Sequence, residues 1–527
     1  MRLRPGRKRI NTNEILADET WLINQPIEGE FSTVALYPNN YWIAMSNLEY
    51  HKLIIRMLES GNLSVERAFY DPEILKPGYS FFTRTQLRKF NITAISLSYE
   101  LDMLNALICL KSGGIPLLSK ERGEDAPFVI FVGAVPTANP EPLADFADIV
   151  FIGDLEDGFI DILRKLLNLH RTGIPRMEAL KKISTMRGVY IPALYRATYW
   201  RDNLSSFHPI TGDTPDFIKR ACAKTINDDP SKSILITKHT KFSCSFMIET
   251  SRGCPYECGF CLHRYANYPP RFIDIGVFEK ELQNAKDKLG DKFNHVSIIG
   301  SAIANHPKFL DILNILLANE LNLGLPSSRA ELLKPDYLSL LKKLGIHTIT
   351  IAPEVGDDSL RKKIGKDTTT EEFIEFASNI NSLAIPKLKL YFILGLTTKP
   401  QDEVDSIITL IERIHTNYKG HITISVNPFT PKAQTPMAFY ELPSEKDLKK
   451  AFLNLTRAIY RENLGEVKSK SVRQGRIQRL LSLGDRRVSE YLTSSLKSKK
   501  LRNVSKEEEK FIPTPDGIKP WDHIRLL

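Results

Sequence analysis

Three cysteines fall within eight positions of this chain, in the segment Glu249-Thr250-Ser251-Arg252-Gly253-Cys254-Pro255-Tyr256-Glu257-Cys258-Gly259-Phe260-Cys261. Thiolates spaced Cys-x3-Cys-x2-Cys suit one face of a four-iron, four-sulfur cubane, and no fourth cysteine follows at matching spacing to close the set. One iron therefore keeps an open position, which is what a small molecule needs in order to bind the metal directly. Two other readings stay open on these residues. A structural zinc site takes four ligands in two pairs; His263 follows closely, but the second arm is lacking. Cysteines with only a packing role would not need Gly253, Pro255 and Gly259 beside them, which belong to a tight loop. The remaining Cys109, Cys222 and Cys244 stand apart and read as buried small hydrophobes, and six cysteines in 527 residues are too few for a disulfide scaffold.

The elements around the cysteine loop form two series of alternating strands and helices, an α/β pattern. In the first, short apolar runs at Val34-Tyr37, Val65-Phe69, Ile92-Ser98, Phe128-Val132 and Asp148-Ile152 alternate with helical stretches near Tyr50-Ser60 and Leu101-Ser112. Five strands in about 140 residues fit a flavodoxin-like doubly wound domain over 31–171, preceded by an arm at 1–30. A proline-punctuated, ordered connector follows at 172–241. The second series occupies 242–440. Its strands are Phe246-Glu249, His295-Ile299, Leu323-Pro326, His347-Ile351, Lys387-Leu394 and His421-Val426; its helices include Phe278-Lys288, Phe309-Asn319, Pro335-Leu344, Thr370-Leu383 and Asp402-His415. Six such units predict a partial (β/α)6 barrel with functional groups on the loops at its carboxyl edge, and the cysteine loop directly follows the first strand. Residues 441–527 read as a basic helical region.

The cysteine segment, with Phe260 in the aromatic slot of Cys-x3-Cys-x-aromatic-Cys, resembles the signature of the radical S-adenosylmethionine superfamily. That resemblance implies a 4Fe-4S cluster on Cys254, Cys258 and Cys261. It also implies S-adenosylmethionine bound at the open iron and cleaved, by one electron, to methionine and a 5'-deoxyadenosyl radical that abstracts hydrogen from substrate. Further segments resemble the family's cofactor contacts at successive strand ends. Gly300 and Ser301 correspond to the turn that meets the methionine amino group, and Ser328 and Arg329 end the third strand. Glu354 ends the fourth and resembles a polar contact to ribose or methionine. Gly395 follows the fifth as a backbone shelf beside adenine, while Val426 and Asn427 end the sixth on the adenine side. Many relatives place Glu shortly after the glycine; this chain has Lys399 and Pro400 there. No resemblance names a catalytic side chain.

The segments Ser96-Leu101, Gly133-Pro142 and Ile152-Glu156 look like loops of the cobalamin-binding domain that often precedes this core, which implies cobalamin as a further candidate cofactor and methylation of an unreactive carbon as candidate chemistry. The Asp-x-His-x-x-Gly motif of base-off cobalamin sites is absent, and His51 is the nearest candidate ligand.

The formal charge of +10 is concentrated at the end: residues 441–527 hold 20 Lys and Arg against 12 Asp and Glu. Arg473, Arg476, Arg479, Arg486 and Arg487 there make RNA a candidate partner beside the substrate and an external electron donor, although a solvated basic helix face explains the same residues. An iron-sulfur protein without turnover is the alternative from a different class. No apolar run reaches the ~18-20 residues of a membrane span, and Met1-Arg9 lacks the apolar stretch of a secretory signal, so a cytoplasmic protein is expected.

Overall fold

The computed structural model describes residues 11–24 and 29–526. They form two compact units: the described residues up to Lys224 with Ser231–Phe246 and those from Gly484 onward, and Thr225–Pro230 with Met247–Leu483. Of the expected amino-terminal arm, residues 1–10 and 25–28 lie outside the described residues. The described part holds a helix, Thr12–Asp18, and a two-residue strand, Thr20–Trp21, paired antiparallel with Leu235–Ile236.

The first unit is built on β1 (Phe31–Tyr37), β2 (Leu63–Phe69), β3 (Ile92–Ser96), β4 (Phe128–Val132), β5 (Ile149–Phe151) and β6 (Val189–Tyr190), in the order β2-β1-β3-β4-β5-β6. The first five are parallel, and only β6 runs antiparallel. This is the flavodoxin-like order with an added edge strand, whose switch point lies between β1 and β3. Every residue of β3 and β4 is buried, as expected of strands covered on both faces. Helices α1 (Leu48–Glu59), α2 (Met103–Ser112) and α3 (Phe159–Arg171) belong to this unit. Cys109 sits in the buried face of α2, and burial pushes its thiol pKa up to about 12. Cys222 is half-buried, whereas Cys244 is exposed and so is not the core residue expected.

The segment read as a connector contributes β6 and an antiparallel hairpin, β7 (Tyr195–Trp200) and β8 (Asn203–Pro209), to the first unit. Its prolines fall outside strand interiors, at positions such as Pro192 and Pro209, where no ladder donor is lost.

The second unit carries two four-stranded sheets. One orders β9 (Phe246–Arg252), β10 (Arg271–Phe272), β11 (His295–Gly300) and β12 (Asn322–Gly324) as β10-β9-β11-β12. The other orders β13 (Thr348–Glu354), β14 (Lys387–Leu394), β15 (His421–Pro428) and β16 (Glu466–Ser469) consecutively and in parallel. A single parallel bridge, Ser328 to Ile351, joins β12's trailing segment to β13. The six expected strands are all present, with β10 and β16 in addition.

Helices α4 (Ile275–Leu289), α5 (Phe309–Ala318), α6 (Pro335–Lys343), α7 (Thr370–Ser382) and α8 (Pro400–Asn417) follow successive strands. Their starts are written locally: Asp274 caps α4, Thr369 and Glu372 form a reciprocal capping box on α7, and prolines open α6 and α8. Along β14 and β15 burial alternates. Leu388, Leu390, Phe392, Leu394, Ile422, Ile424 and Val426 are buried, while Lys389, Tyr391, Ile393, Thr423, Ser425 and Asn427 on the opposite face are half-buried.

Helices α9 (Glu445–Arg461) and α10 (Val472–Leu483) close the second unit, and α11 (Val488–Leu496) belongs to the first. The basic region 441–527 is thus divided between the two units at Gly484. Among the described residues no helix is long and apolar enough to cross a membrane.

Candidate active site

Strand β9 runs three residues further than its apolar run suggested, so the cysteine loop leaves the sheet only after Arg252. Gly253 makes the exit at φ +77°, where a Cβ would lie 2.6 Å from the Asn267 carbonyl oxygen and 2.7 Å from that of Pro269. Only glycine fits both constraints. Beyond it the loop is tied at several points: Tyr256 Oη accepts from the Asn305 amide at 3.0 Å, and the Arg329 guanidinium lies over the Tyr256 ring at 3.7 Å. Gly259 N–H donates to Ile364 O at 3.0 Å, and Met437 N–H donates to Gly259 O at 3.1 Å.

Cys254, Cys258 and Cys261 are all half-buried. They are near enough to influence one another electrostatically, and burial is the main reason that the Cys258 thiol pKa is raised and that of Cys261 is pushed up to about 11. Lys366 and Arg329 oppose the rise at Cys258. Among the described residues no three His, Cys, Asp or Glu side chains are arranged to hold a single metal ion. A cubane asks for a wider spacing, because each thiolate binds a different iron. His263 is exposed and its Nδ1 contacts the Asn267 amide at 3.2 Å.

Phe260 connects the loop to the strand ends. It packs with Ile393 on an apolar cluster of Val355, Ile364, Leu396, Phe429 and Met437. Val355, Leu396 and Phe429 each lie immediately beyond a segment singled out in the sequence, at the ends of β13, β14 and β15, so the cysteine loop and the Glu354, Gly395 and Asn427 positions share one edge. Val426 differs: its side chain is fully buried on the opposite face of β15, and its carbonyl accepts from Lys470 N–H at 3.3 Å.

On the other sheet, Gly300 abuts β9 so closely that a Cβ would lie 2.2 Å from Ser251 Oγ. The hydroxyls of Thr250, Ser251 and Ser328 are buried there without a hydrogen-bond partner among the described residues. Unsatisfied buried hydroxyls are costly, and their concentration at these strand ends fits a site built for a polar ligand. Ser301 is exposed. Arg329 is engaged by Glu331 and by Thr368 Oγ1 at 3.3 Å, and Glu354 is ion-paired to Lys366 at 3.2 Å.

The turn after Gly395 has an internal bond for which Lys399 and Pro400 supply no acceptor. Glu403, on the first turns of α8, reaches back: its carboxylate accepts from the backbone N–H of Gly395 at 2.9 Å, Leu396 at 3.2 Å and Thr397 at 2.7 Å, and from the Thr397 hydroxyl at 2.7 Å. Burial raises its pKa against the pull of those four donors. The signal available in sequence was a carboxylate one turn into a helix opened by Pro400, eight positions from the glycine it serves.

In the first unit His51 is fully buried, with Nδ1 accepting from Ile234 N–H at 3.0 Å and Nε2 facing Met45 O at 3.2 Å. Both ring nitrogens are engaged, so His51 has none to offer a cobalt ion. The switch point is crossed by side-chain bonds: Asn47 donates to Tyr37 Oη and Ser98 Oγ, each at 3.2 Å, and Asn39 donates to Asp102 at 2.9 Å. Of the five arginines considered for RNA, Arg486 is bound to Glu141 and Tyr190, and Arg487 to Asp485. Both line an open cleft of about 290 Å³ in this unit, with Tyr195 and Tyr199.

A family model for the radical SAM superfamily matches residues 248–411, from β9 into α8, and one for the N-terminal part of radical SAM proteins matches 57–192, from α1 past β6. An uncharacterized protein of Methanocaldococcus jannaschii is 25% identical over 501 residues, covering 93% of this chain and 98% of its own. Among solved structures, the cobalamin-dependent S-adenosylmethionine radical enzyme OxsB with aqua-cobalamin bound aligns over 91% of this chain and 63% of its own, at 16% identity and a TM-score of 0.50. The radical S-adenosylmethionine methyltransferase TsrM from Kitasatospora setae, with cobalamin and a [4Fe-4S] cluster bound, aligns over 77% of each chain at 13% identity and a TM-score of 0.48. The superfamily's model thus falls on the second unit with the cysteine loop inside it, and the N-terminal model on the first, so the chain is similar to radical SAM proteins over both units.

Proposed function

We propose that the protein uses a 4Fe-4S cluster on Cys254, Cys258 and Cys261 to cleave S-adenosylmethionine and abstract hydrogen from a substrate held at the same strand edge. The observation that carries this reading is the seat of Phe260 among Val355, Leu396 and Phe429, which puts the three-thiol loop beside the ends of β13, β14 and β15. When bound and reduced by an external donor, such a cluster supplies the electron that breaks the sulfonium bond. The chain's own part is to hold and orient. Gly300 lets β11 close against Ser251 of β9, where the buried Ser251 and Ser328 hydroxyls are available to bond the cofactor's amino-acid end; Glu354 faces its polar groups, and the Gly395 turn, held by Glu403, gives a fixed backbone shelf on the adenine side beside Asn427. Ser301 and Arg329 flank the same groups.

The test is anaerobic reconstitution with iron and sulfide, followed by a strong reductant and S-adenosylmethionine. 5'-Deoxyadenosine is the expected product, and Cys258→Ala is expected to lose both the cluster's visible absorbance and the product. A wild-type cluster that yields no cleavage under any reducing condition would instead indicate an iron-sulfur protein without turnover.

Cobalamin-dependent methylation is the finer form of this proposal. Its support is the β2-β1-β3-β4-β5 order of the first unit, whose carboxyl edge is where such a domain binds ligands. The residues do not fit a site with a protein imidazole under the cobalt, since His51 has both nitrogens engaged. Cobalamin is therefore proposed only without a histidine ligand, and no transfer step is drawn through it. The optical spectrum and mass-spectrometric content of anaerobically purified protein decide whether it is present.

A further inference from the structure

The tripeptide Ile364-Gly365-Lys366 touches both parts of the proposed site. Its first carbonyl holds the cysteine loop, Ile364 O accepting from Gly259 N–H at 3.0 Å, while Gly365 O lies 3.5 Å from Cys258 Sγ, a contact whose proton is given up when the thiolate binds iron. Gly365, at φ +81°, leaves no space for a side chain, because a Cβ would lie 2.4 Å from Glu257 O. The third residue reaches the other way. Lys366 is buried, and its ammonium donates to the Ala352 carbonyl and to Glu354 Oε1, the latter at 3.2 Å.

Glu354 needs such a partner. It sits at φ +67° immediately after the register shift between Ile351 and Glu354, a left-handed backbone that side chains other than glycine seldom adopt. Strain of this kind persists only where neighbours over-determine it, and it gathers at functional sites. The bulge sets one extra residue between Ile351 and Glu354, which rejoins the ladder opposite Phe392, and Lys366 fixes where its carboxylate then lies.

We propose that Lys366 is a positioning residue: it presents Glu354 to S-adenosylmethionine, and through Ile364 and Gly365 it ties that carboxylate to the cluster loop. The proposal rests on the radical S-adenosylmethionine reading above. It also makes the Lys366–Glu354 pair a balanced charge beside Cys258, so the two residues oppose one another in setting the cluster's ease of reduction.

Cluster-loaded protein tests this without turnover, by calorimetric titration with S-adenosylmethionine and by a potentiometric titration followed by electron paramagnetic resonance. Lys366→Met is expected to weaken cofactor binding about tenfold or more, the scale of a lost charge-assisted hydrogen bond, and to move the cluster midpoint negative. Lys366→Arg restores both. Glu354→Gln moves the midpoint positive, and the double variant returns it toward wild type, which a lysine with only a packing role would not do. Should Lys366→Met fail to fold, Glu354→Gln alone still carries the test: an unshifted midpoint with unchanged affinity overturns the proposal. Wild type that takes up no cluster overturns the underlying reading and this one with it. Wild type that binds cluster and cofactor while the variants match it overturns this one alone.

Discussion

Single residues decide the shape of the cofactor edge more than their neighbours in sequence do. Glu403 collects four donors around the Gly395 turn from a position that is nearly solvent-free, so truncation to Ala leaves backbone N–H groups unpaired in the core. Glu403→Ala is expected to cost about 3 kcal/mol in urea unfolding. It should also raise the KM for S-adenosylmethionine, whereas Glu403→Gln, which keeps an acceptor, should recover most of the loss. The cysteines, Phe260 and the strand-end glycines were legible because their spacing is itself the signal. Glu403 and Lys366 were not. Each acquires its role from a backbone feature, the start of α8 at Pro400 or the bulge before Glu354, that brings together residues eight and twelve positions apart.

Elements were readable where side chains alternate over a full strand or repeat over several helical turns. The run Lys387–Leu394 shows its period of two without ambiguity, and β14 is found there to the residue. The two-residue β6 and the charged β16 give no such period: Glu466, Val467, Lys468 and Ser469 form a partly exposed strand beside β15, where lysine discourages further pairing. Helix starts are equally local. The box in which Thr369 bonds the Glu372 N–H and Glu372 bonds back to Thr369 N–H predicts that Thr369→Ala lowers unfolding free energy by about 1 kcal/mol, measured by denaturant titration. Because α7 lies outside the cofactor edge, binding of S-adenosylmethionine should be unchanged in that variant.

For the whole molecule, acid is expected to act first through the first unit. Burial lowers the His51 pKa to about 4, while the unfolded chain protonates near 6.5, so between these values the unfolded state binds more protons. The stability this neutral histidine contributes is present above pH 6.5 and is lost as the pH falls toward 4, in total about 3 kcal/mol. Asp102 works in the opposite sense. Burial raises it to about 6, so below that value the folded state gains a proton before the unfolded one does. The clean measurement is therefore a comparison: melting temperature against pH should fall less steeply between pH 6.5 and 5 in His51→Gln than in wild type, and parallel curves would refute the assignment.

The first unit is also discontinuous. Strand Ile218–Lys219 pairs with Ile524–Arg525, Asn139 bonds Gly484 O, and Ser489 bonds Asp145, all within that unit, whereas 247–483 is one uninterrupted stretch of the second. During synthesis residues 247–483 emerge before the segment from Gly484 onward that the first unit also uses. The first unit's six-stranded sheet lies wholly within residues 31–190, so a nascent chain carries that sheet without the Ile524–Arg525 strand and α11 while the second unit is being made.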